Sequence, residues 1–113
     1  MPPLKAEIVF DDFAKMDIRV ATVLSAEKME KSNKLLKLQV DTGVDQRTIL
    51  SGIALHYSPE ELVGKQVTII ANLAPRKMMG IQSQGMILMA EDSDGKLRLI
   101  QPSEIVNPGS TVS

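Results

Sequence analysis

Residues 67–90 of the chain are Val-Thr-Ile-Ile-Ala-Asn-Leu-Ala-Pro-Arg-Lys-Met-Met-Gly-Ile-Gln-Ser-Gln-Gly-Met-Ile-Leu-Met-Ala. Each end of this segment is a continuous apolar run of strand length bounded by turn residues. This pattern predicts two buried strands, one over Val67 to Ala71 and one over Met86 to Ala90. The residues between them, Asn72 to Gly85, include a proline and two glycines. They predict a long connecting loop.

The predicted loop carries positive charge and no negative charge. Arg76 and Lys77 are adjacent, and no aspartate or glutamate occurs from Leu62 to Ala90. A loop of this length in a small domain is usually functional, because loops display binding groups on a rigid scaffold. We therefore expect the loop to face an anionic ligand.

The whole-chain composition is that of one globular domain spanning residues 1–113, with 43% apolar and 24% charged residues. No apolar run approaches the roughly 18 residues that a membrane span needs. The chain has no cysteine, and its first residues do not resemble a signal peptide. We expect a cytoplasmic protein without a membrane partner.

The sequence contains no recognisable catalytic constellation. His56 is the only histidine, and with no cysteine present neither a zinc cluster nor a Cys-His nucleophilic pair is available. The spacing of Gly80 and Gly85 is that of a phosphate-binding P-loop, but Met86 and Ile87 replace its lysine and hydroxyl residue. We expect a noncatalytic chain with no cofactor and no metal site.

Charge and aromatic content restrict the kind of nucleic-acid binding that is possible. The net charge is −1, so any nucleic-acid site must be local. Phe10, Phe13 and Tyr57 are the only aromatic residues. A generic single-strand binder normally stacks bases on several rings, so that class is disfavoured.

The rest of the chain predicts further short strands and one capped helix. A short helical turn is expected between Ile8 and Lys15. Ser58 can cap a second helix, Pro59 suits its first position, and Glu61 completes a capping box. The strands predicted outside residues 67–90 are Asp17 to about Glu27, Leu35 to Val40, Arg47 to Leu50, and Lys96 to Gln101.

Three strands, a short helix and two more strands form the element order of the OB fold. In that five-stranded barrel the helix lies between the third and fourth strands. An SH3-like barrel or another small β fold shares much of the pattern. We predict an all-β, five-stranded OB-fold barrel with N- and C-terminal extensions.

The two extensions contain apolar residues that have no evident place in a five-stranded core. Large exposed apolar patches usually mark interfaces, so we expect a homodimer joined through the termini. The alternative is that the two extensions pack on each other within one chain. The candidate dimer-interface residues are Phe10, Phe13, Leu99, Ile100, Ile105 and Val106.

An ordered set of short motifs resembles one known family. The motifs are Phe10-Asp-Asp-Phe13, Lys15-Met-Asp-Ile-Arg-Val20, Ser32-Asn-Lys-Leu35, Ser51-Gly-Ile53, Tyr57-Ser-Pro-Glu60, Asn72-Leu-Ala-Pro-Arg-Lys-Met78 and Ser83-Gln-Gly-Met86. Together they resemble the tRNA-binding domain at the C-terminus of many bacterial methionyl-tRNA synthetases. CsaA-like proteins and tRNA-binding structural chaperones are free-standing relatives. The resemblance covers roughly Phe10 to Leu99.

The resemblance implies an OB barrel with terminal extensions, a homodimer, and tRNA binding by shape rather than by sequence. Cations neutralise phosphates, Ser83 can donate to a phosphate or sugar, and Met86 can pack on an exposed base or ribose. The alternatives are a solvated cation pair and, for Met86, the start of a buried strand. The candidate tRNA-binding residues are Lys34, Asn72, Arg76, Lys77, Ser83, Gln84 and Met86.

The predicted function is that of a noncatalytic tRNA-binding module. The resemblance implies the C-terminal appendage of a methionyl-tRNA synthetase, which raises the affinity of that enzyme for tRNA. Its partners would be tRNA, a second copy of the chain and the catalytic region of the synthetase, so the parent enzyme would be a methionine–tRNA ligase. The alternative is a free-standing CsaA-like export chaperone or a dimerisation or protein-interaction module.

Overall fold

The computed structural model describes all residues from 1 to 113, and its main feature is a five-stranded antiparallel sheet with the strand order β3-β2-β1-β4-β7. Two hairpins, β5–β6 and β8–β9, form separate two-stranded sheets. The elements in chain order are α1 (Phe10–Ala14), β1 (Ile18–Lys28), β2 (Leu36–Asp41), β3 (Gln46–Ser51), α2 (Pro59–Leu62), β4 (Gln66–Ile70), β5 (Arg76–Met78), β6 (Ile81–Ser83), β7 (Met86–Ile87), β8 (Met89–Glu91) and β9 (Leu97–Leu99).

Strand β1 is long enough to pair with two neighbours over different parts of its length. Its residues from Ile18 to Thr22 pair with β4, and those from Thr22 to Lys28 pair with β2. The register against β2 shifts between Val23 and Ser25. Such a bulge bends a strand and increases its twist. The sheet therefore curls and encloses one core.

The core lies on the inner face of this curled sheet. On β2 the side chains alternate, so that Leu36, Leu38 and Val40 are fully buried and the residues between them are only partly buried. This is the period-two pattern of a strand that has one buried face. Other core residues come from four further strands and the segment after β3; they are Ala21, Val23, Ile49, Ile53, Val67, Ile69 and Ile87.

Helix α2 contributes a single residue to the core, Leu62, which is fully buried. The predicted capping box is present, because the Ser58 N–H and Oγ both lie within hydrogen-bond distance of Glu61 Oε1, at 3.4 and 3.2 Å. The helix follows the third strand of the sheet and precedes the fourth, which confirms the OB-type architecture. No helix in the structure is long and apolar enough to span a membrane.

The segment from residue 72 to 90 differs from its prediction in two respects. The expected loop contains the β5–β6 hairpin, which turns at Met79 and Gly80, both with positive φ. The expected strand from Met86 to Ala90 is divided, because β7 pairs with β4 whereas β8 pairs with β9. Local strand propensity is continuous across these residues, but the available pairing partner changes after Ile87.

The C-terminal extension packs on its own chain. The Gln66 side chain donates to the Val106 carbonyl at 2.6 Å and accepts from the Val106 N–H at 3.0 Å. Thr68 Oγ1 donates to the Ile100 carbonyl at 2.7 Å. Leu99 and Val106 are consequently half-buried, and Leu99 packs against the core. Leu99 therefore has a place against the core, contrary to expectation, and Val106 is held to Gln66 by hydrogen bonds within the chain.

Other apolar residues of the two extensions remain exposed. Phe10 and Phe13 pack on each other, with ring centroids 6.3 Å apart, yet Phe10 is 76% exposed. Ile105 is 87% exposed, and Ile100 is 42% exposed. The extensions thus leave an apolar surface at each end of the chain.

Candidate nucleic-acid interface

The β5–β6 hairpin displays the two cations that the sequence singled out. Arg76 pairs with Ser83 and Lys77 with Gln82 across the hairpin. Both cations are exposed, and neither forms an ion pair with a carboxylate. Because successive strand residues point to opposite faces, Arg76 and Lys77 project on opposite sides of the hairpin. The hairpin therefore presents unneutralised positive charge on two faces.

A small cleft of about 60 Å³ brings Arg76, Ser83 and Met86 together. Its walls also include the apolar side chains of Leu50 and Met78. Met86 is the first residue of β7 and is 44% exposed, whereas the next residue, Ile87, is buried in the core. Of the predicted tRNA-binding residues, these three are the ones that share one cavity.

Ser83 is a buried residue at the wall of this cleft. It is 3% exposed, its Oγ accepts the Leu50 N–H at 3.0 Å, and it lies 3.4 Å from the Gly85 carbonyl oxygen. The hydroxyl is engaged inside the protein, at the wall of the cleft that also contains Arg76 and Met86. A buried hydroxyl needs hydrogen-bond partners, and Ser83 finds one of its partners in Leu50 of β3. The side chain thereby joins β6 to β3.

The structure places Asn72 at the start of the segment, where it anchors the main chain. Its Oδ1 accepts the Asp17 N–H at 2.8 Å, and its Nδ2 donates to the Lys15 carbonyl at 2.7 Å. This side chain therefore ties the loop to the end of the N-terminal extension. Both of its polar atoms already have protein partners.

Gln84 and Lys34 have exposed side chains and anchored main chains. The Gln84 N–H donates to the Thr48 carbonyl at 2.8 Å. The Lys34 carbonyl accepts the Ala54 N–H at 3.0 Å. The side chain of Lys34 lines neither the cleft beside Met86 nor the larger groove described next. The structure thus keeps Lys34 available for an anion but apart from the cleft.

A larger open groove, of about 660 Å³, lies between the β1–β2 connection and the tip of the hairpin. Met79 and Ile81 of the hairpin meet Met29 of the connection there. The groove is lined by three lysines, Lys28, Lys31 and Lys37, and by Glu27 and Glu30. In OB folds the connection between the first two strands and the one between the last two commonly border the ligand.

Sequence reasoning missed these three lysines as candidate ligand contacts. Lys28 and Lys31 lie between the strands predicted over Asp17 to about Glu27 and over Leu35 to Val40. Lys37 lies between the buried Leu36 and Leu38, so the alternation of β2 already directs its side chain away from the core. It pairs with Glu27 on the neighbouring strand at 3.5 Å. That alternation was the signal that could have identified it.

Arg47 is a further residue that sequence reasoning missed. Its guanidinium forms a two-point pair with Asp45, with Nε to Oδ1 at 3.1 Å and Nη2 to Oδ2 at 2.8 Å. Nη1 donates to the carbonyls of Ala71 at 2.7 Å and Gln84 at 3.2 Å. The hydrogen bond from Arg47, with a further one from Thr42, lowers the pKa of Asp45 from 3.8 to about 2.

His56 and Tyr57 hold the β8–β9 hairpin on another part of the surface. His56 Nδ1 accepts the Leu97 N–H at 3.4 Å, and the Tyr57 hydroxyl accepts the Leu99 N–H at 3.1 Å. The same surface has a cavity that includes Lys65 and Lys96 but no residue of the β5–β6 hairpin. These two lysines are therefore exposed cations outside the candidate interface.

The chain matches the family model described as "Putative tRNA binding domain" over residues 18–111. It is 61% identical over 110 residues to a methionine–tRNA ligase of Cytophaga hutchinsonii, covering 97% of this chain and 16% of that protein. A methionine–tRNA ligase of Flavobacterium johnsoniae is 58% identical over 111 residues, with 98% and 16% covered. The chain thus spans 16% of the length of these relatives.

Two solved structures are similar over the full length of their chains. The MetRS-related protein of Pyrococcus horikoshii has a TM-score of 0.91 and 43% identity, covering 96% of this chain and 100% of that one. The chaperone CsaA of Bacillus anthracis has a TM-score of 0.88 and 28% identity, with 96% and 100% covered. These findings confirm the resemblance seen in the sequence motifs. The chain belongs to the tRNA-binding-domain family and is homologous to a segment of methionyl-tRNA synthetases.

Proposed function

We propose that this chain is a noncatalytic module that binds tRNA through the β5–β6 hairpin. The observation that carries the proposal is the pair of exposed, unpaired cations, Arg76 and Lys77, on a hairpin whose surroundings in sequence contain no carboxylate. Membership of the tRNA-binding-domain family supports tRNA as the polyanion. The groove beside the hairpin tip adds Lys28 and Lys31, which have no carboxylate partner, and Lys37, which is paired with Glu27.

The proposed mode of binding is recognition of shape and backbone. No aromatic residue lines the cleft beside Arg76 and Met86 or the groove at the hairpin tip. Stacking of successive bases is therefore not available, and phosphate contacts supply most of the affinity. Met79 and Met86, 47% and 44% exposed, provide apolar surface for an unstacked base or a ribose.

In its biological context the module acts as an appendage of a methionyl-tRNA synthetase in the cytoplasm. The identity to methionine–tRNA ligases over 16% of their length supports this proposal. A tethered second binding surface raises the effective concentration of tRNA at an enzyme without adding to the chemistry. The parent enzyme would be a methionine–tRNA ligase, its catalytic region would be a partner of the module, and this chain itself would remain noncatalytic.

The module also forms a homodimer through its extensions in this proposal. Ile8, Val9 and Phe10 are 65%, 66% and 76% exposed at one end, and Ile105 is 87% exposed at the other. A two-fold interface that covers these residues would remove apolar surface from water and carry two hairpins on one particle. Two hairpins increase avidity where both reach the same tRNA.

The test of tRNA binding is a salt titration of the affinity, with Arg76 and Lys77 changed together to alanine. For the unchanged chain we expect a log-log slope of roughly −2 to −5, which corresponds to about three to five neutralised phosphates. The double variant should bind more weakly, and its slope should be flatter by about 1 to 2. The double variant Lys65→Ala, Lys96→Ala removes the same charge elsewhere and should behave like the unchanged chain. Equal effects of both double variants would eliminate the hairpin as the site.

A chaperone is the second candidate function, because the CsaA chaperone of Bacillus anthracis shares the fold at 28% identity. Leu73, Met79 and Met86 are 42%, 47% and 44% exposed, which gives the loop apolar surface for an unfolded peptide. Suppression of aggregation of a chemically unfolded protein measures this activity. The chaperone proposal requires that a near-equimolar amount of this chain suppresses the aggregation and that excess tRNA does not abolish this effect. It also requires that the affinity for tRNA does not change when Arg76 and Lys77 are replaced.

A further inference from the structure

One side chain of β3, that of Arg47, bridges the base of the β5–β6 segment. It adds to the main-chain pairing of β4 with β7 and to the hydrogen bond from the Gln84 N–H to the Thr48 carbonyl. Ala71 immediately precedes the segment from Asn72 to Gly85, and Gln84 is near its end. Nη1 of Arg47 donates to both of their carbonyls, at 2.7 and 3.2 Å. A single guanidinium nitrogen therefore holds the entry and the exit of the hairpin segment together.

Arg47 is fixed in this position by its other hydrogen bonds. Nε and Nη2 form a two-point pair with the Asp45 carboxylate. Asp45 is fixed in turn, because Thr42 Oγ1 lies 2.6 Å from Asp45 Oδ1 and also accepts the Asp45 N–H at 3.2 Å. Planar, two-point pairing of this kind orients a guanidinium in a way that a lysine ammonium cannot reproduce.

Arg47 is poorly placed to contact an anion itself. Its side chain is 16% exposed, and its positive charge is paired with Asp45. Four N–H donors, one from Nε, one from Nη2 and two from Nη1, are engaged within the protein. An arginine has five such donors in all. Any effect of Arg47 on a ligand of the hairpin must therefore be exerted mainly through the main chain that it holds.

We propose that Arg47 is a positioning residue, which orients the cationic hairpin for tRNA without contacting tRNA; this rests on the proposed function of the hairpin. By fixing the Ala71 and Gln84 carbonyls, Arg47 sets the direction in which Arg76 and Lys77 leave the sheet. Preorganised binding groups avoid the entropy cost of ordering a loop at the moment of binding. The hairpin binds tRNA tightly because Arg47 has already ordered its base.

The chain offers a matched control in Arg19. Arg19 and Asp17 repeat the spacing of Arg47 and Asp45, and they form the same two-point pair at 2.8 and 2.9 Å. The Arg19 guanidinium hydrogen-bonds only Asp17, whereas that of Arg47 also holds the two loop carbonyls. Arg19→Lys and Arg47→Lys therefore disturb equivalent ion pairs and keep the charge, but only Arg47→Lys releases the segment.

The first measurement uses the chain without tRNA and reads the order of the segment by amide hydrogen exchange. In Arg47→Lys we expect exchange of the amides of residues 76–85 to accelerate about tenfold or more, while the amides of β2 change little, because only the base of the segment is released. Arg19→Lys should leave exchange in residues 76–85 within about twofold. Unchanged exchange in Arg47→Lys would overturn the positioning role, whether or not the chain binds tRNA.

The second measurement is a double-mutant cycle on tRNA affinity. Arg47→Lys should weaken binding about tenfold in the unchanged chain, but less than about twofold when Arg76 and Lys77 are already alanine, because the two changes act through one element. Equal weakening in both backgrounds would mean that Arg47 acts independently of the hairpin and would overturn the proposal. Accelerated exchange in a chain that fails to bind tRNA at all would instead overturn the proposed function and leave Arg47 as the clamp of the hairpin.

A second variant covers the case in which Arg47→Lys does not fold. Asp45→Asn retains Arg47 and its two carbonyl contacts but removes the carboxylate that holds the guanidinium. The Asp45 side chain is 46% exposed, so its substitution leaves the core intact. We expect Asp45→Asn to have a smaller effect than Arg47→Lys. The affinity for tRNA should fall about threefold, and the exchange of the hairpin amides should accelerate about threefold. A folded Asp45→Asn chain with unchanged exchange would also contradict the proposal.

Discussion

Gly43 of the β2–β3 turn and Gly109 of the C-terminal extension lie with their main chains in contact. A Cβ at Gly109 would lie 2.7 Å from the Thr42 carbonyl oxygen, and one at Gly43 would collide with the Pro108 carbonyl. Both glycines have positive φ, 88° and 91°. The extension is therefore held against the β2–β3 turn at a point where neither segment has room for a side chain.

Gly109→Ala should destabilise the fold through this contact. The new methyl group meets main chain, which cannot move aside cheaply, and alanine disfavours positive φ. We expect a loss of about 2–4 kcal/mol in the free energy of unfolding, measured by urea denaturation. Gly95→Ala is the control, since Gly95 has φ of 79° but no atom within 4 Å of its Cβ position. The Gly95→Ala chain should lose only about 1 kcal/mol in the free energy of unfolding. Equal losses would show that the close contact is not required for stability.

The Asp45–Arg47 pair predicts a loss of stability in acid. The pKa of Asp45 is lowered from 3.8 to about 2, so folding favours the ionised carboxylate. This contribution to the free energy of unfolding is present above pH 3.8 and is lost as the pH falls towards 2. An NMR titration of the Asp45 carboxyl carbon should show a midpoint near pH 2.

Asp45→Asn provides the comparison for this pH dependence. The variant should be less stable than the unchanged chain at neutral pH, because Arg47 loses its carboxylate partner. Its free energy of unfolding should fall less between pH 4 and pH 2, since one fewer group binds a proton on unfolding in that range. If the free energies of unfolding of Asp45→Asn and of the unchanged chain fell equally between pH 4 and pH 2, the Asp45–Arg47 pair would not be the source of the acid sensitivity.

Structured tRNA should bind more tightly than an unstructured strand of the same length. Neither the cleft nor the groove of the hairpin is lined by an aromatic ring, so these sites offer a flexible strand no stacking platform, whereas a folded RNA presents phosphates in a fixed arrangement. A competition assay with tRNA and poly-pyrimidine DNA at one salt concentration measures the preference. We expect at least about a tenfold advantage for tRNA. Tighter binding of the DNA would identify a generic single-strand binder.

Ile105→Asp should convert the proposed dimer to monomer. Ile105 is 87% exposed in the single chain, so a charge there costs little within the chain but would be buried at a dimer interface. Sedimentation equilibrium at micromolar concentration should give twice the mass of one chain before the change and the mass of one chain after it. Val44→Asp is the control, because Val44 is 70% exposed in the β2–β3 turn, outside the extensions. A monomer before any substitution would refute the dimer.

Local sequence patterns were sufficient to predict the order of the main elements. The apolar residues from Leu35 to Val40 predicted β2, and Ser58 with Glu61 predicted the helix that separates the third and fourth strands. Both signals depend on residues close together in the chain, where backbone geometry alone fixes which side chains meet. The cations of the hairpin were also evident, because their charge is unopposed over a long stretch of sequence.

The sequence by itself thus determined the order of the main strands, the helix cap, the family motifs and the positive charge of the loop. Only the tertiary structure decided that Ser83 is buried, that Val106 packs on Gln66, and that Arg47 holds the base of the hairpin. Each of these contacts joins residues at least 24 positions apart. Residue type gives the hydrogen-bonding capacity of such a side chain, but its partner depends on how the curled sheet brings distant segments together.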